Sequence, residues 1–429
     1  MRILLEHALL LARADAEPLP DMSVGVADGQ IAFTARQIPE DFRPERRIDC
    51  RGALLMPGLV NAHTHSPLSL LRSCGEGLPL QNWLESAVWP FEARHTAGSC
   101  YWGALLNAAE CIRFGVTCVC DMYIQGAAVS EAYAQAGLRA LVTPTVTDDL
   151  AAQNPRLLDE IAALADRWSE DPLIRIGIAP HAVYTCGETL LSAVADQAGR
   201  HRLPVHVHVS ETRAEQEQCL KRYGVTPLER LDQFGLISPR TLAAHCVWLS
   251  PSDIGRIAKR GATVVHCPRS NLKLGSGVAP AAEFLEAGIP VALGTDSSAS
   301  SNNQDILEEM RVSSLLQKGL RRDPTVLPPG QSLVMATAAA GSAMGFPLGA
   351  IFPQGPADLI LLDRTEPHWH PCLNPPADLL YAAASSDVRL TMVNGKILYE
   401  NGVFTTIDLE RLYETIPRFY PDHGKNPSL

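Results

Sequence analysis

Leu54-Leu55-Met56-Pro57-Gly58-Leu59-Val60-Asn61-Ala62-His63-Thr64-His65 is an apolar run that ends in two histidines one residue apart. Side chains on a β-strand alternate faces with a period of two. His63 and His65 therefore point the same way at the end of a buried strand, read here as Leu55–Ala62. Two neutral imidazoles so placed form half of a transition-metal site. A parallel barrel carries its functional groups at such strand ends.

Seven further apolar segments follow, each ending in a polar or small residue: Val116–Asp121, Arg139–Thr145, Ile174–His181, Pro204–Glu211, Thr241–Val247, Ala262–Pro268 and Pro290–Asp296. Most intervals carry a helical pattern, as in Trp102–Phe114, Glu188–Gly199 and Ser250–Arg260. Alternating strand and helix implies a parallel sheet with crossover helices, and eight units predict a closed (β/α)8 barrel of the TIM type. An open doubly wound sheet would want a glycine-rich loop directly after a strand. Gly275-Ser276-Gly277 lacks the third glycine and that position.

The ends read differently. Residues 1–55 hold short alternating runs around Asp28-Gly29, and the pattern returns after Pro347, with Asn394-Gly395 and Asn401-Gly402 as hairpin turns. The expectation is a small β-sandwich from residues 1–55 and 347–429 beside a barrel of residues 56–346. The apolar start, residues 1–14, is interrupted by Glu6 and His7 and reads as a first strand rather than a signal peptide.

Composition narrows the partners. A formal net charge of −11 argues against nucleic acid or anionic membranes, and no apolar run has the ~18 residues of a spanning helix. Eleven scattered cysteines point to free thiols and a cytoplasmic location. Cys118-x-Cys120 has no second pair and reads as two small side chains on a strand face. A homo-oligomer is the expectation from base rates.

The strand ends then supply the chemistry. Beyond His63 and His65, the fourth ends at His181, the fifth carries His206, His208 and then Glu211, the sixth ends near His245, the seventh near His266 and the eighth at Asp296. His63, His65, His208 and Asp296 give three imidazoles and a carboxylate, a set that suits one divalent ion with a position left for water. His206 shares a face with His208 and is either a ligand in its place or packing beneath the site. Such an ion lowers the pKa of water to about 7. Asp296 is the candidate base, His245 the group that aims the nucleophile, and Glu211 the acid that protonates the substrate. The first lysine of the chain is Lys221. Strands one to five thus cannot provide a carboxylated lysine to bridge two ions, and one metal is favoured.

These marks resemble the amidohydrolase superfamily, and within it the 5′-methylthioadenosine/S-adenosylhomocysteine deaminases. They include Asn61–Leu71 with Arg72, Trp83 followed by Trp89-Pro90-Phe91-Glu92, Ala179-Pro180-His181, His206–Thr212, His245-Cys246, Ser270-Asn271-x-Lys273-Leu274 and Gly294–Asn303. The resemblance implies one Zn2+ per subunit and hydrolytic loss of ammonia from C6 of an adenosine-type nucleoside. It places Glu92 on the ribose hydroxyls, His181 against the purine, Trp83 as an aromatic wall and Ser300 near the substrate. Arginines that hold a homocysteine carboxylate in the family fall at Pro144 and Arg156, which favours methylthioadenosine or adenosine over S-adenosylhomocysteine. The alternatives are a related enzyme acting on a guanine, pterin or triazine ring, and a non-catalytic barrel, which would have lost ligands.

Overall fold

The computed structural model describes residues 1–420. Its centre is a barrel of eight parallel strands. Leu59–Thr64, Val116–Tyr123 and Arg139–Val146 pair in sequence. The fourth strand is split into Ile174–Ile176 and Ala179–Pro180. Between the pieces, Ile178 leaves the third strand and bonds the fifth, donating its N–H to the carbonyl of Pro204 at 2.9 Å and accepting from His206 at 3.0 Å. Val205–Val209, Thr241–His245, Thr263–His266 and Val291–Leu293 complete the ring, again all parallel. Closure comes where Asp296 donates its N–H to the carbonyl of His63 at 2.9 Å. Here a Cβ on Gly294 would stand 2.7 Å from that of His63, so only glycine lets the eighth strand approach the first.

Helices return across the outside between strands, among them Ala97–Arg113, Glu188–His201, Arg213–Tyr223 and Pro251–Arg260. Several begin at side-chain caps: Thr212 accepts from the N–H of Glu215, and Ser250 from that of Asp253. Their apolar faces and the outward faces of the strands form one continuous core.

Both chain ends meet in a single nine-stranded sheet. Ala53–Pro57 lies between Ile3–Leu10, which it joins in parallel, and Leu359–Asp363, which it joins antiparallel with Leu55 opposite Leu361. Leu19–Ala27 and Gln30–Ala35 extend one side through the turn at Asp28-Gly29; Val388–Val393, Lys396–Glu400 and Val403–Phe404 extend the other through the two Asn-Gly turns. Ile3, Leu5, Val24, Leu55, Leu361 and Met392 share one buried cluster, so the halves of the sheet cover a common core as a sandwich does.

The opening run is two strands rather than one. The sheet strand ends at Pro57 and the barrel strand begins at Leu59. Gly58 donates to Asp358 of the sheet region at 3.1 Å, and the next N–H, Leu59, donates to Gly115 of the barrel at 3.0 Å. A Cβ at residue 58 would lie 2.0 Å from Thr117 Oγ1. The expected junction at 55/56 therefore falls inside the sheet strand, and the chain changes sheets at Gly58.

Candidate metal centre and substrate cavity

The strand ends bring the expected ligands together. Among the described residues, one nitrogen each of His63, His65 and His208 forms a group within 4.8 Å, and His63, His245 and Asp296 form another. Asp296 Oδ1 lies 3.6 Å from His63 Nε2 and 3.4 Å from His65 Nε2, and His208 Nε2 is 3.3 Å from His65 Nε2.

Ring orientation is fixed from behind. His65 Nδ1 donates to the carbonyl of Met122 at 2.6 Å, and His208 Nδ1 to that of His181 at 2.9 Å. A carbonyl only accepts, so both rings carry their proton on Nδ1 and aim the Nε2 lone pair at the cluster. His63 Nε2 is buried and has no hydrogen-bond partner in the protein, although it faces Asp296. An orphaned imidazole nitrogen, two further aimed lone pairs and a carboxylate fit a divalent zinc-type ion. His206 lies behind this set, its Nε2 2.9 Å from His63 Nδ1.

Asp296 is also held from outside the cluster. Ser270 Oγ donates to Oδ2 at 2.5 Å and the Ser297 N–H to Oδ1 at 2.7 Å. Burial works to raise its pKa, but His63, then the charges of His65 and His245, hold the carboxyl well below the usual range. Asp296, His245 and Ser210 all have left-handed backbone, with φ of 62°, 70° and 48°. Such conformations in non-glycine residues cost energy and gather at functional sites.

Asn271 presents its amide N–H to His245 Nδ1 at 2.9 Å, so His245 carries its proton on Nε2 and is a donor there. That nitrogen lies 3.8 Å from Glu211 Oε2. Burial, and next the charge of Asp296, push the Glu211 carboxyl up to about 8. The group stands buried beside the ligand cluster. The Glu211 N–H is anchored on Glu215 Oε2 at 2.8 Å.

A cavity of about 910 Å³ opens over the cluster, within the usual range for small-molecule sites. Trp83, Glu92, His181, Glu211, His245 and Asp296 all line it. Trp83 and Glu92 lie on Leu80–Trp83, Leu84–Val88 and Trp89–Glu92, a continuous helical segment whose middle stretch is π-helical. At 3.6 residues per turn, positions 83 and 92 would take opposite faces. The wider π turn brings both to the cavity. The Trp83 indole is pinned by its N–H to the carbonyl of Cys74 at 3.0 Å. Burial raises the pKa of Glu92, opposed by the charge of His65 and by Tyr123.

Two expected substrate residues stand elsewhere. Ser300 is buried in a turn and donates to the Ser297 carbonyl at 3.1 Å; Ser297, not Ser300, lines the cavity. Arg156 is exposed before the helix Leu157–Arg167 and does not line the cavity. No lysine or arginine among the described residues does, whereas Asp148 and Asp149 do. Sequence reading also missed the roles of Ser270 and Asn271, although both sat in the Ser-Asn-x-Lys-Leu stretch.

Comparison with known proteins agrees with this geometry. The amidohydrolase family profile matches residues 54–398. The chain belongs to the amidohydrolase family. This amidohydrolase is 40% identical over 421 residues to a 5-methylthioadenosine/S-adenosylhomocysteine deaminase of Syntrophobacter fumaroxidans, covering 96% of each chain. It is 40% identical over 409 residues to a 5′-deoxyadenosine deaminase of Methanothermobacter thermautotrophicus, covering 93% of this chain and 94% of the other. Among solved structures, an adenosine deaminase of Xanthomonas campestris with bound zinc superposes with a TM-score of 0.92 at 34% identity over 97% of both chains.

Proposed function

We propose that this amidohydrolase is a zinc-dependent deaminase that converts an adenosine-type nucleoside and water to the inosine analogue and ammonia. The observation that carries it is the Glu211–His245 pair: a buried carboxyl 3.8 Å from an imidazole that donates through Nε2, both against the ligand cluster. Zinc held by His63, His65, His208 and Asp296 would supply an acidified water as the nucleophile.

The chain's own groups divide the remaining work. Glu211 delivers its proton to ring N1, which makes C6 electrophilic. His245 holds the attacking oxygen through its Nε2–H. Asp296 takes one proton of the nucleophile and returns it to the leaving amine; as ammonia departs, the remaining hydroxyl proton at C6 passes to Glu211, so the carbonyl forms and the donor is restored. Glu92 accepts hydrogen bonds from the ribose hydroxyls, His181 borders the purine, and Trp83 walls the cavity.

The finer reading concerns the 5′ substituent. A lining without lysine or arginine, with Asp148 and Asp149 among its residues, favours an uncharged group such as methylthio or hydroxyl over one bearing a carboxylate. The proposal further takes the enzyme to be a cytoplasmic homo-oligomer without nucleic-acid or membrane partners. The described helices include none long and apolar enough to span a membrane.

The test is an ultraviolet assay of the zinc-loaded protein with adenosine, methylthioadenosine, S-adenosylhomocysteine and guanine, with ammonia measured in parallel. Turnover of adenosine derivatives supports the proposal. Turnover of guanine alone, or of none, sinks it.

A further inference from the structure

We infer that Thr143 and His206 are positioning residues that fix the ring tautomer of His63 and, through it, the zinc affinity of the site. The inference rests on the metal reading of the cluster but not on the identity of the substrate.

The argument is one of proton direction along a buried chain. Thr143 Oγ1 lies 2.9 Å from the carbonyl oxygen of Asp121, which can only accept, so the hydroxyl proton is committed there. Thr143 Oγ1 also lies 3.1 Å from His206 Nδ1. Its own proton being used, it accepts, and His206 carries its proton on Nδ1. His206 Nε2 is then a lone pair, 2.9 Å from His63 Nδ1, and accepts in turn. His63 must therefore hold its proton on Nδ1 and present a bare Nε2 towards Asp296.

The reverse direction would be costly to the site. If His206 donated to His63, the His63 proton would sit on Nε2, facing the cluster, and that nitrogen could not ligate. His63, His206 and Thr143 are all fully buried, so no bulk water competes for the direction of these bonds. The thiol of Cys120, 3.2 Å from His206 Nδ1, is only a weak donor and a weak acceptor, so the Thr143 oxygen sets the direction. His65 and His208 are directed by backbone carbonyls, which no substitution removes. His63 alone depends on side chains, supplied by the third and fifth strands.

The experiment measures zinc affinity of metal-free wild type, T143V, T143S and H206F by competition with a chromophoric chelator. Thermal melts of the metal-free forms accompany it. T143V should weaken binding by about tenfold or more, the usual size of an outer hydrogen-bond effect. T143S, which keeps the hydroxyl, should bind as wild type does. H206F removes the acceptor itself and should lose at least as much as T143V while remaining folded. Wild-type affinity in T143V and H206F would overturn the inference, as would T143S weakened as much as T143V. Wild type that takes up no zinc would instead sink the metal reading, and the relay with it.

Discussion

Asp296 meets His63 twice: its backbone N–H donates to the His63 carbonyl at 2.9 Å, and its carboxylate Oδ1 stands 3.6 Å from His63 Nε2. The seam that closes the barrel is thus also one edge of the metal centre. The two functions separate by substitution. D296N keeps the backbone bond and removes the anionic ligand. It should retain the wild-type circular dichroism spectrum while zinc content and deamination fall to background. A collapse of the fold instead would show that the carboxylate, not the backbone seam, closes the barrel.

Glu211 is the proton donor in this scheme, and it is competent only while protonated. Since burial lifts it to about 8, kcat/KM should decline as pH rises through that value. E211Q cannot deliver a proton and should lose about 10²–10⁴-fold in kcat with its zinc content intact. A pH profile flat to pH 10 in the wild type would remove Glu211 from the role.

Glu92, read as the acceptor of the ribose hydroxyls, should separate nucleosides from free bases. In E92Q the charge that accepts from the diol is gone, at about 2 kcal/mol, or roughly thirtyfold in kcat/KM for adenosine. Any slow turnover of free adenine should be unchanged. Equal losses on both would place Glu92 in the architecture of the site rather than on the sugar.

The cavity's charge predicts an order of substrates. Methylthioadenosine should exceed S-adenosylhomocysteine in kcat/KM, and D149R should narrow the gap by giving the carboxylate a partner. The ratio of the two substrates, measured in both proteins, is the readout. An unchanged ratio would mean that Asp149 does not face the 5′ group.

Acid should unfold the zinc-free protein early. Burial lowers His95 to about 4 and His181 and His266 to about 3. Their folded pKa lies below the ordinary 6.5 or so, so the unfolded chain binds protons first. The stability these rings contribute is full above that value and is lost as pH falls through the window towards 3. Glu211 and Glu215, both raised to about 8, act in the opposite sense and lose their contribution as pH rises through 8. The two sets oppose each other until the carboxyls are protonated in both states, and below that only the imidazoles still act, so the melting temperature of the zinc-free protein should fall as pH drops from about 4.5 towards 3.

Much of this was legible in the sequence, for a physical reason. Strands buried on both faces are largely apolar, so Val116–Tyr123 or Val291–Leu293 stand out from the polar helices around them. Polar residues at their ends are conspicuous for the same reason, which is how His208, Glu211, His245 and Asp296 were found. Interactions made across strands leave no such trace. Asn271 meets His245 through space, and Thr143 acts through His206. Ser300 and Arg156 were placed by resemblance alone, and local turns direct them elsewhere. Nor does an apolar run reveal that Gly58 hands the chain from one sheet to another.

That hand-over has a consequence for biogenesis. The first barrel strand, with His63 near its end and His65 just beyond it, is tethered to Ala53–Pro57, whose antiparallel neighbour is Leu359–Asp363. A ribosome must synthesise some three hundred further residues before that neighbour exists. Contacts so distant along the chain form late. A chain truncated before residue 359 would hold His63, His65, His208 and Asp296 without the strand that pins the first two.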